Sequence, residues 1–304
     1  MSIEALIFDV DGTLADTEEL HRSAFNQAFE RLQLGWQWSR AEYRELLKIT
    51  GGKERITAYL QQQPLASARQ RAVLARVPEI HAEKTALYTA MVQAGHLTLR
   101  PGVARLLQEA RQGGIRLAIA STTTAANIDA LLHATLGADG LDLFDVIACG
   151  DQVRHKKPAP DIYALALDTL GVPAERAVAL EDSSNGLRSA VAAGLWTLIT
   201  PTYWTEGDDF AAAGLVLPHL GDAEHPLPPG QPGLPAGAAW LAMDELLRLA
   251  APQRPFNEVH ALYMAPPRSL AVAAPQGGSR SGPAEPGPRT PLECQVPRSV
   301  AEDH

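Results

Sequence analysis

Apolar and polar residues change rhythm three times along this chain. Residues 5–8 form an unbroken apolar run, "ALIF", too short for a helix and followed at once by "DVDGT", so a buried strand is expected with Asp9 and Asp11 at its end. From residue 18 to about 97 the apolar positions recur at helical spacing, in "EELHRSAFNQAFERL", "AEYRELLKI" and "RAVLARVPEIHAEKTALYTAMVQ", and no convincing strand interrupts them. Pro101-Gly102 ends that rhythm. Short apolar runs then alternate with helical stretches. "IRLAIAST", "FDVIACGD", "AVALED" and "TLIT" read as strands, separated by "AANIDALLHATL", "APDIYALALDTLG" and "NGLRSAVAAG" as helices. Strands alternating with helices imply a parallel sheet covered on both faces. The fold class expected is α/β: a Rossmann-like parallel sheet core from residues 1–16 and 100–251, a helical domain over 17–99 inserted after the first strand, and a cleft between them.

The pattern fades near the C-terminus. "GDAEHPLPPGQPGLPAG" reads as a Pro/Gly loop leading to one more helix, "AAWLAMDELLRLA". From Pro252 onward the chain holds ten of its 23 prolines and five arginines against five acidic residues, without periodicity, so residues 252–304 are expected to be a disordered tail. That balanced tail leaves the whole net charge of -9 on residues 1–251. The sign argues against non-specific attraction to nucleic acid or an anionic membrane, and a phosphorylated ligand would need local cations or a metal ion. No apolar run is long enough to span a bilayer and none resembles an export leader, so a cytoplasmic protein is expected. The two cysteines, Cys149 and Cys294, have no partners at metal-ligand spacing and read as a buried hydrophobe and an incidental thiol.

The chemistry gathers where strands end. The first strand delivers Asp9 and Asp11, the second Ser121, the loop after the third Lys156-Lys157-Pro158, and "AVALED" ends in Glu181-Asp182. A parallel sheet brings these ends to one edge. Carboxylates at that density repel one another unless a cation sits among them, and an oxygen-only set suits Mg²⁺. Such an edge fits phosphoryl transfer: Asp9 as nucleophile, Asp11 as acid and then base, Ser121 and Lys157 on the transferring phosphoryl group, and Glu181 and Asp182 holding the metal with Asp9. Each residue taken singly has an ordinary alternative, since strand-end acids and serines cap helices and lysines are usually solvated. The constellation is what carries the reading.

Four segments, "DVDGTLADTE", "AST", "KKPAPDIY" and "LEDSSNG", are similar to the four motifs of the haloacid-dehalogenase-like hydrolase superfamily, and the helical insertion resembles its small helical cap. The resemblance covers about residues 3–250. It implies that the Asp9 carboxylate, the Asp11 main-chain carbonyl and Asp182 coordinate Mg²⁺ while Glu181 shapes the site. Asp11 and the acidic pair mark the phosphatase branch rather than the dehalogenases. Within that branch, "DTEELHRSAFNQAF", "WQWSRAEYRELLKITGGKERI" and "LEDSSNGLRSA" look like the CbbY-type phosphatases of the Calvin cycle. This implies as substrate xylulose-1,5-bisphosphate, an inhibitor of Rubisco, and hence a functional link to Rubisco without direct contact.

A bisphosphate needs a second anion site, which the cap must supply. Lys53 in "TGGKERI" is the leading candidate, assisted by Arg55, because glycines before a helix start allow close approach and a helix N-terminus favours an anion. Thr17, Glu18 and His21 lie just past the nucleophile, where they could reach sugar hydroxyls or orient Asp11, and Thr122 beside Ser121 is a further candidate substrate contact. Trp36, Trp38 and Tyr43 are either a binding wall or cap core. The partner expected is a small sugar phosphate, with no nucleic acid and no membrane, and the protein is expected to be a monomer. Two enzyme alternatives share this core, a phosphoglycolate phosphatase and a β-phosphoglucomutase-like enzyme. A catalytically silent sugar-phosphate-binding regulator is the non-enzyme alternative.

Overall fold

Six strands, β1 (Ala5–Phe8), β2 (Arg116–Ala120), β3 (Val146–Ala148), β4 (Ala177–Glu181), β5 (Trp196–Ile199) and β6 (Leu215–Val216), form one sheet in the order β3-β2-β1-β4-β5-β6. Every pairing is parallel. The computed structural model describes residues 2–251 except His96, and all of these lie in one compact unit. The central strand explains its own apolar run: Leu6 and Phe8 pack into the core on one face, Ala5 and Ile7 into the core on the other, all fully buried. Helices α6 (Val103–Gln112), α7 (Ala125–Leu136) and α10 (Met243–Ala250) cover the first face, and α8 (Asp161–Leu170) and α9 (Ser184–Ala192) the second. The order places β1 between β2 and β4, so the chain reverses direction across the sheet beside β1. Ligands of open parallel sheets bind at such a switch point, beyond the carboxyl ends of the strands.

Between β1 and α6 the regular elements among the described residues are all helices: α1 (Glu18–Arg31), α2 (Arg40–Leu46), α3 (Gly52–Gln61), α4 (Ser67–Leu74) and α5 (Val77–Gln93). They bury a small aromatic core of their own. Phe25, Phe29, Trp38 and Tyr43 are fully buried, and Trp36 packs edge-on against Phe29 at 5.4 Å between centroids. All three aromatic residues considered for a binding wall thus belong to this core, because their ring area is better buried than wetted. The helix expected over residues 71–93 is two helices, with Arg76 as the N-cap of α5 and Pro78 in its first turn, where the missing N–H costs nothing.

Two further departures from expectation lie at the C-terminal side. β6 is only two residues long, below the length at which a pattern can be read. The Pro/Gly segment after Gly221 is not a free loop: Leu227 and Leu241 are buried in the sheet core, and Arg105 donates to the carbonyls of Gly221 and Leu241. The final helix begins at Met243, later than its apolar pattern suggested. Cys149 is a buried free thiol, as expected. The tail 252–304, with Cys294, lies outside the described residues. Among those described, no helix is long and apolar enough to cross a membrane.

Candidate active site

Asp9 follows β1 directly, and its N–H continues the ladder by donating to the Leu180 carbonyl of β4 at 2.9 Å. That register sets Asp9 beside Glu181, the last residue of β4, and Asp182. The three carboxylates are buried, and one oxygen of each falls within 4.8 Å of the others. Lys157 reaches in from the loop before α8 and bridges two of them, Nζ donating to Asp9 Oδ1 at 2.7 Å and Glu181 Oε1 at 2.6 Å. Tyr163 Oη donates to the same Glu181 oxygen at 2.7 Å, and the Asp182 N–H to the other at 3.2 Å. Glu181 is thereby saturated, which suits a shaping role. The neighbouring Lys156 also lines the cavity but donates to the Gly150 carbonyl, so of the paired lysines only Lys157 reaches the carboxylates.

One lysine does not balance three acids. Burial, opposed by Lys157 and reinforced by Glu181 and Asp11, raises the Asp9 carboxyl to about 7. Burial followed by Glu181 and Asp9 raises Asp182 well above the carboxylate range. The Lys157 pKa is raised as well: burial lowers it, but Asp9 and Glu181 overcome that and hold the ammonium firmly charged. An all-oxygen, buried, under-neutralised donor set fits a hard divalent cation. The walls around it admit no added bulk. A Cβ on Gly12, whose φ is +88°, would meet Asp182 Oδ2 at 2.3 Å, and one on Gly186 would meet Glu181 Oε2 at 1.9 Å.

Asp11 stands apart from that cluster. Its Oδ1 accepts from Thr17 Oγ1 at 2.6 Å and pairs with His21 Nε2 at 2.9 Å. Burial would raise its pKa, yet His21 and the two hydrogen bonds hold it well below the usual range. The carboxylate expected to work as acid and base is thus engaged by Thr17 and His21, apart from the Asp9, Glu181 and Asp182 cluster. Behind His21 lies Lys84, Nζ 2.7 Å from His21 Nδ1. An ammonium can only donate, so Nδ1 accepts and Nε2 carries the proton that reaches Asp11. Burial lowers Lys84 to about 8 against the pull of Asp11 and Glu18.

A cavity of about 580 Å³ opens between this edge and the helical insertion. Ser121 and Thr122 line it from the end of β2, and neither caps the next helix; that task falls to Thr124, as Ser183 caps α9. On the opposite wall are Glu18, Lys53, Arg55, His81 and Lys84. Lys53 is half exposed, with Nζ 3.6 Å from Asp151 across the cleft. Arg55 is buried, donating to the Leu46 carbonyl at 3.1 Å and to Tyr43 Oη at 3.0 Å, while Tyr43 in turn donates to Glu18 at 2.7 Å. Glu18 and Arg55 are therefore joined through a tyrosine of the insertion core. His81 packs so closely on the start of α3 that a Cβ on Gly52 would meet its Nε2 at 2.6 Å, and burial with Lys84 and Lys53 lowers its pKa to about 4.

Lys84 and His81 escaped the sequence reading, although one signal was there. The buried face of α5 runs Val77, Ile80, Lys84, Leu87, Tyr88, so a lysine occupies an apolar register. His81 carries no such mark, since it flanks that stripe. Thr205, 3.4 Å from Asp182, was equally unmarked, while Tyr163 closes the motif "KKPAPDIY" but was assigned no role there.

A family model described as haloacid dehalogenase-like hydrolase matches residues 3–194. Protein CbbY of Cereibacter sphaeroides is 52% identical over 215 residues, 71% of this chain and 91% of that protein. The crystal structure of CbbY from Rhodobacter sphaeroides in complex with phosphate superposes with a TM-score of 0.66 at 51% identity, covering 71% of this chain and 94% of that one. A mutant of CbbY from the same organism, in complex with xylulose-1,5-bisphosphate, gives 0.67 at 50% identity over the same shares.

Proposed function

The chain belongs to the haloacid dehalogenase-like hydrolases and is a phosphatase of that family, and from that premise we propose that it removes one phosphate from a sugar bisphosphate, with an aspartyl-phosphate intermediate and Mg²⁺ as cofactor. The substrate that suits the chain best is xylulose-1,5-bisphosphate, giving xylulose 5-phosphate and inorganic phosphate and so clearing an inhibitor of Rubisco. The observation that carries this reading is a cavity with two unlike walls: Asp9, Ser121, Lys157 and Asp182 on the sheet edge, and Lys53, Arg55 and Lys84 on the insertion facing them. One wall is built to transfer a phosphoryl group and the other to attract an anion. The relative bound to xylulose-1,5-bisphosphate supports the choice of sugar.

In this reading residues 17–99 are a cap over a core of 1–16 and 100–251. Asp9 Oδ1 is pinned by Lys157, leaving Oδ2 to attack phosphorus while the ester oxygen departs. Lys157 and the Ser121 hydroxyl face the charge that builds on the phosphoryl oxygens. Asp9, Asp182 and the Asp11 carbonyl would hold Mg²⁺, which would supply the remaining neutralisation. Asp11 rests as a carboxylate, so the proton it gives the leaving oxygen comes from His21 Nε2, 2.9 Å away, while Lys84 passes one of its own to His21 Nδ1 across 2.7 Å, so that the imidazole stays neutral and Lys84 is left as the amine. In the second half Asp11 takes a proton from the water that attacks the aspartyl phosphate. Thr17 and His21 orient Asp11, while Glu18, Arg55 and Thr122 meet the sugar phosphate and Lys53 its distal phosphate. The test is phosphate release across a panel of sugar mono- and bisphosphates with Mg²⁺ and after chelation. A strong preference for xylulose-1,5-bisphosphate that chelation abolishes is expected; isomerisation without phosphate release, or turnover after exhaustive chelation, overturns the reading.

A further inference from the structure

Arg100 is a buried cation that the mechanism above does not use. It opens the second passage between insertion and core, its side chain 7% exposed, and its guanidinium faces loops at the carboxyl edge of the sheet. Nη1 donates to the carbonyls of Gly12 and Thr200, the latter at 2.6 Å, and to Thr200 Oγ1 at 2.8 Å. Nη2 donates to the carbonyls of Pro201 at 2.8 Å and Pro218 at 3.2 Å. Nε lies 3.4 Å from Asp16, the exposed carboxylate on the first passage into the insertion. Backbone pairing adds to the junction: the Arg100 N–H donates to the Leu14 carbonyl, and Leu99 bridges Ala15. One side chain therefore ties together the turn after β1, the loop after β5, the segment after β6 and the passage to α1.

Those loops are not arbitrary ones. Gly12 follows Asp11 and is backed against the Asp182 carboxylate. The loop after β5 returns through Thr205, whose hydroxyl is 3.4 Å from the same Asp182 oxygen that Gly12 backs against, and Thr200 N–H donates to the Glu181 carbonyl at 2.8 Å. We propose that Arg100 is a positioning residue for the reaction, fixing the Asp11–Gly12 turn and the loop that flanks Asp182 in one register. The proposal rests on the roles given above to Asp11 and Asp182. Only a planar fork of five donors serves so many acceptors at once; an ammonium offers three donors from a single point. Lysine at 100 would keep the charge and lose the register, and misplacing catalytic groups by about 1 Å costs roughly a hundredfold in rate.

The molecule supplies its own control. Arg105, on the outer side of α6, also donates to backbone carbonyls, those of Gly221 and Leu241, yet touches nothing in the site. Arg100→Lys and Arg105→Lys are compared with wild type for thermal melting, for the rise in Tm on adding Mg²⁺, and for steady-state phosphate release from xylulose-1,5-bisphosphate and from p-nitrophenyl phosphate. Arg100→Lys should lower kcat about ten- to a hundredfold on both esters, leave KM within about threefold, and shrink the Mg²⁺-dependent rise in Tm. Arg105→Lys should lower Tm at unchanged kcat. Should wild type accept the p-nitrophenyl ester and refuse the sugar bisphosphate, the substrate reading fails and the Arg100 comparison is decided on the former. Unchanged kcat in Arg100→Lys, or parallel losses of Tm and kcat in both variants, overturns the proposal. If Arg100→Lys does not fold, Asp16→Asn decides: a fall in kcat of twofold or more supports the pivot, and unaltered kcat overturns it.

Discussion

Replacing Lys53 with alanine separates a bisphosphate enzyme from a general phosphatase, and the structure sets the size of the effect. Lys53 Nζ is 3.6 Å from Asp151, and the two side chains are 48% and 59% exposed. An ion pair that exposed contributes at most about 1 kcal/mol, so losing it should leave the fold untouched. A charge-assisted hydrogen bond to phosphate contributes about 1.5 to 3 kcal/mol. If a distal phosphate must first displace Asp151, the net is about 0.5 to 3 kcal/mol, and Lys53→Ala should lower kcat/KM for xylulose-1,5-bisphosphate by roughly two- to 150-fold. Xylulose 1-phosphate, which carries the reacting group alone, should be turned over about equally by both proteins. The assay is steady-state phosphate release on the two esters, with a melting curve to confirm an unchanged Tm. Equal losses on both esters would refute the reasoning, because Lys53 would then act through the cap and not through the distal phosphate. Asp151→Asn gives the complementary result, a modestly lower KM for the bisphosphate only.

Other consequences follow from the same geometry. Lys157→Ala leaves Asp9 and Glu181 buried without their cation, so it should cost about 3 to 5 kcal/mol of stability in urea melts and abolish phosphate release; a stable, active variant would contradict the pairing. Gly186→Ala drives a methyl group onto Glu181 and should raise the Mg²⁺ concentration needed for half-maximal activity, a response that a normal titration would disprove. His81 has a folded pKa of about 4 against about 6.5 unfolded, so its contribution is complete above pH 6.5 and is lost as pH falls towards 4, by at most about 3 kcal/mol. Asp9 acts with opposite sign over about pH 4 to 7, because its folded pKa is raised. The His81 effect should therefore be measured as the stability of wild type minus that of His81→Asn, a difference that shrinks with falling pH; a flat difference would mean that His81 is solvated.

What was legible in the sequence follows the range over which each signal acts. The apolar run of β1 and the acids at its end are local, and a parallel sheet fixes where strand ends must meet, so Asp9, Ser121, Lys157, Glu181 and Asp182 could be gathered without coordinates. The separation of the Asp11 carboxylate from that cluster was implied only by the family resemblance, because in the residues themselves it depends on which way one carboxylate turns towards Thr17 and His21. Lys84 was half legible as a charge in an apolar stripe. Arg100 was not, since most of its partners are main-chain carbonyls 88 to 118 residues away, and a carbonyl carries no mark in a sequence. Trp38 and Tyr43 stood open between wall and core until the aromatic cluster around Phe25 settled them in the core.

The central claim is that Asp9 carries the phosphoryl group between substrate and water. Wild-type protein mixed with xylulose-1,5-bisphosphate and Mg²⁺, quenched in acid during turnover and digested, should show one phosphoryl group on the peptide containing Asp9. Asp9→Asn should show none and release no phosphate. A phosphoryl group on Ser121 or elsewhere, or continued turnover by Asp9→Asn, would contradict the account.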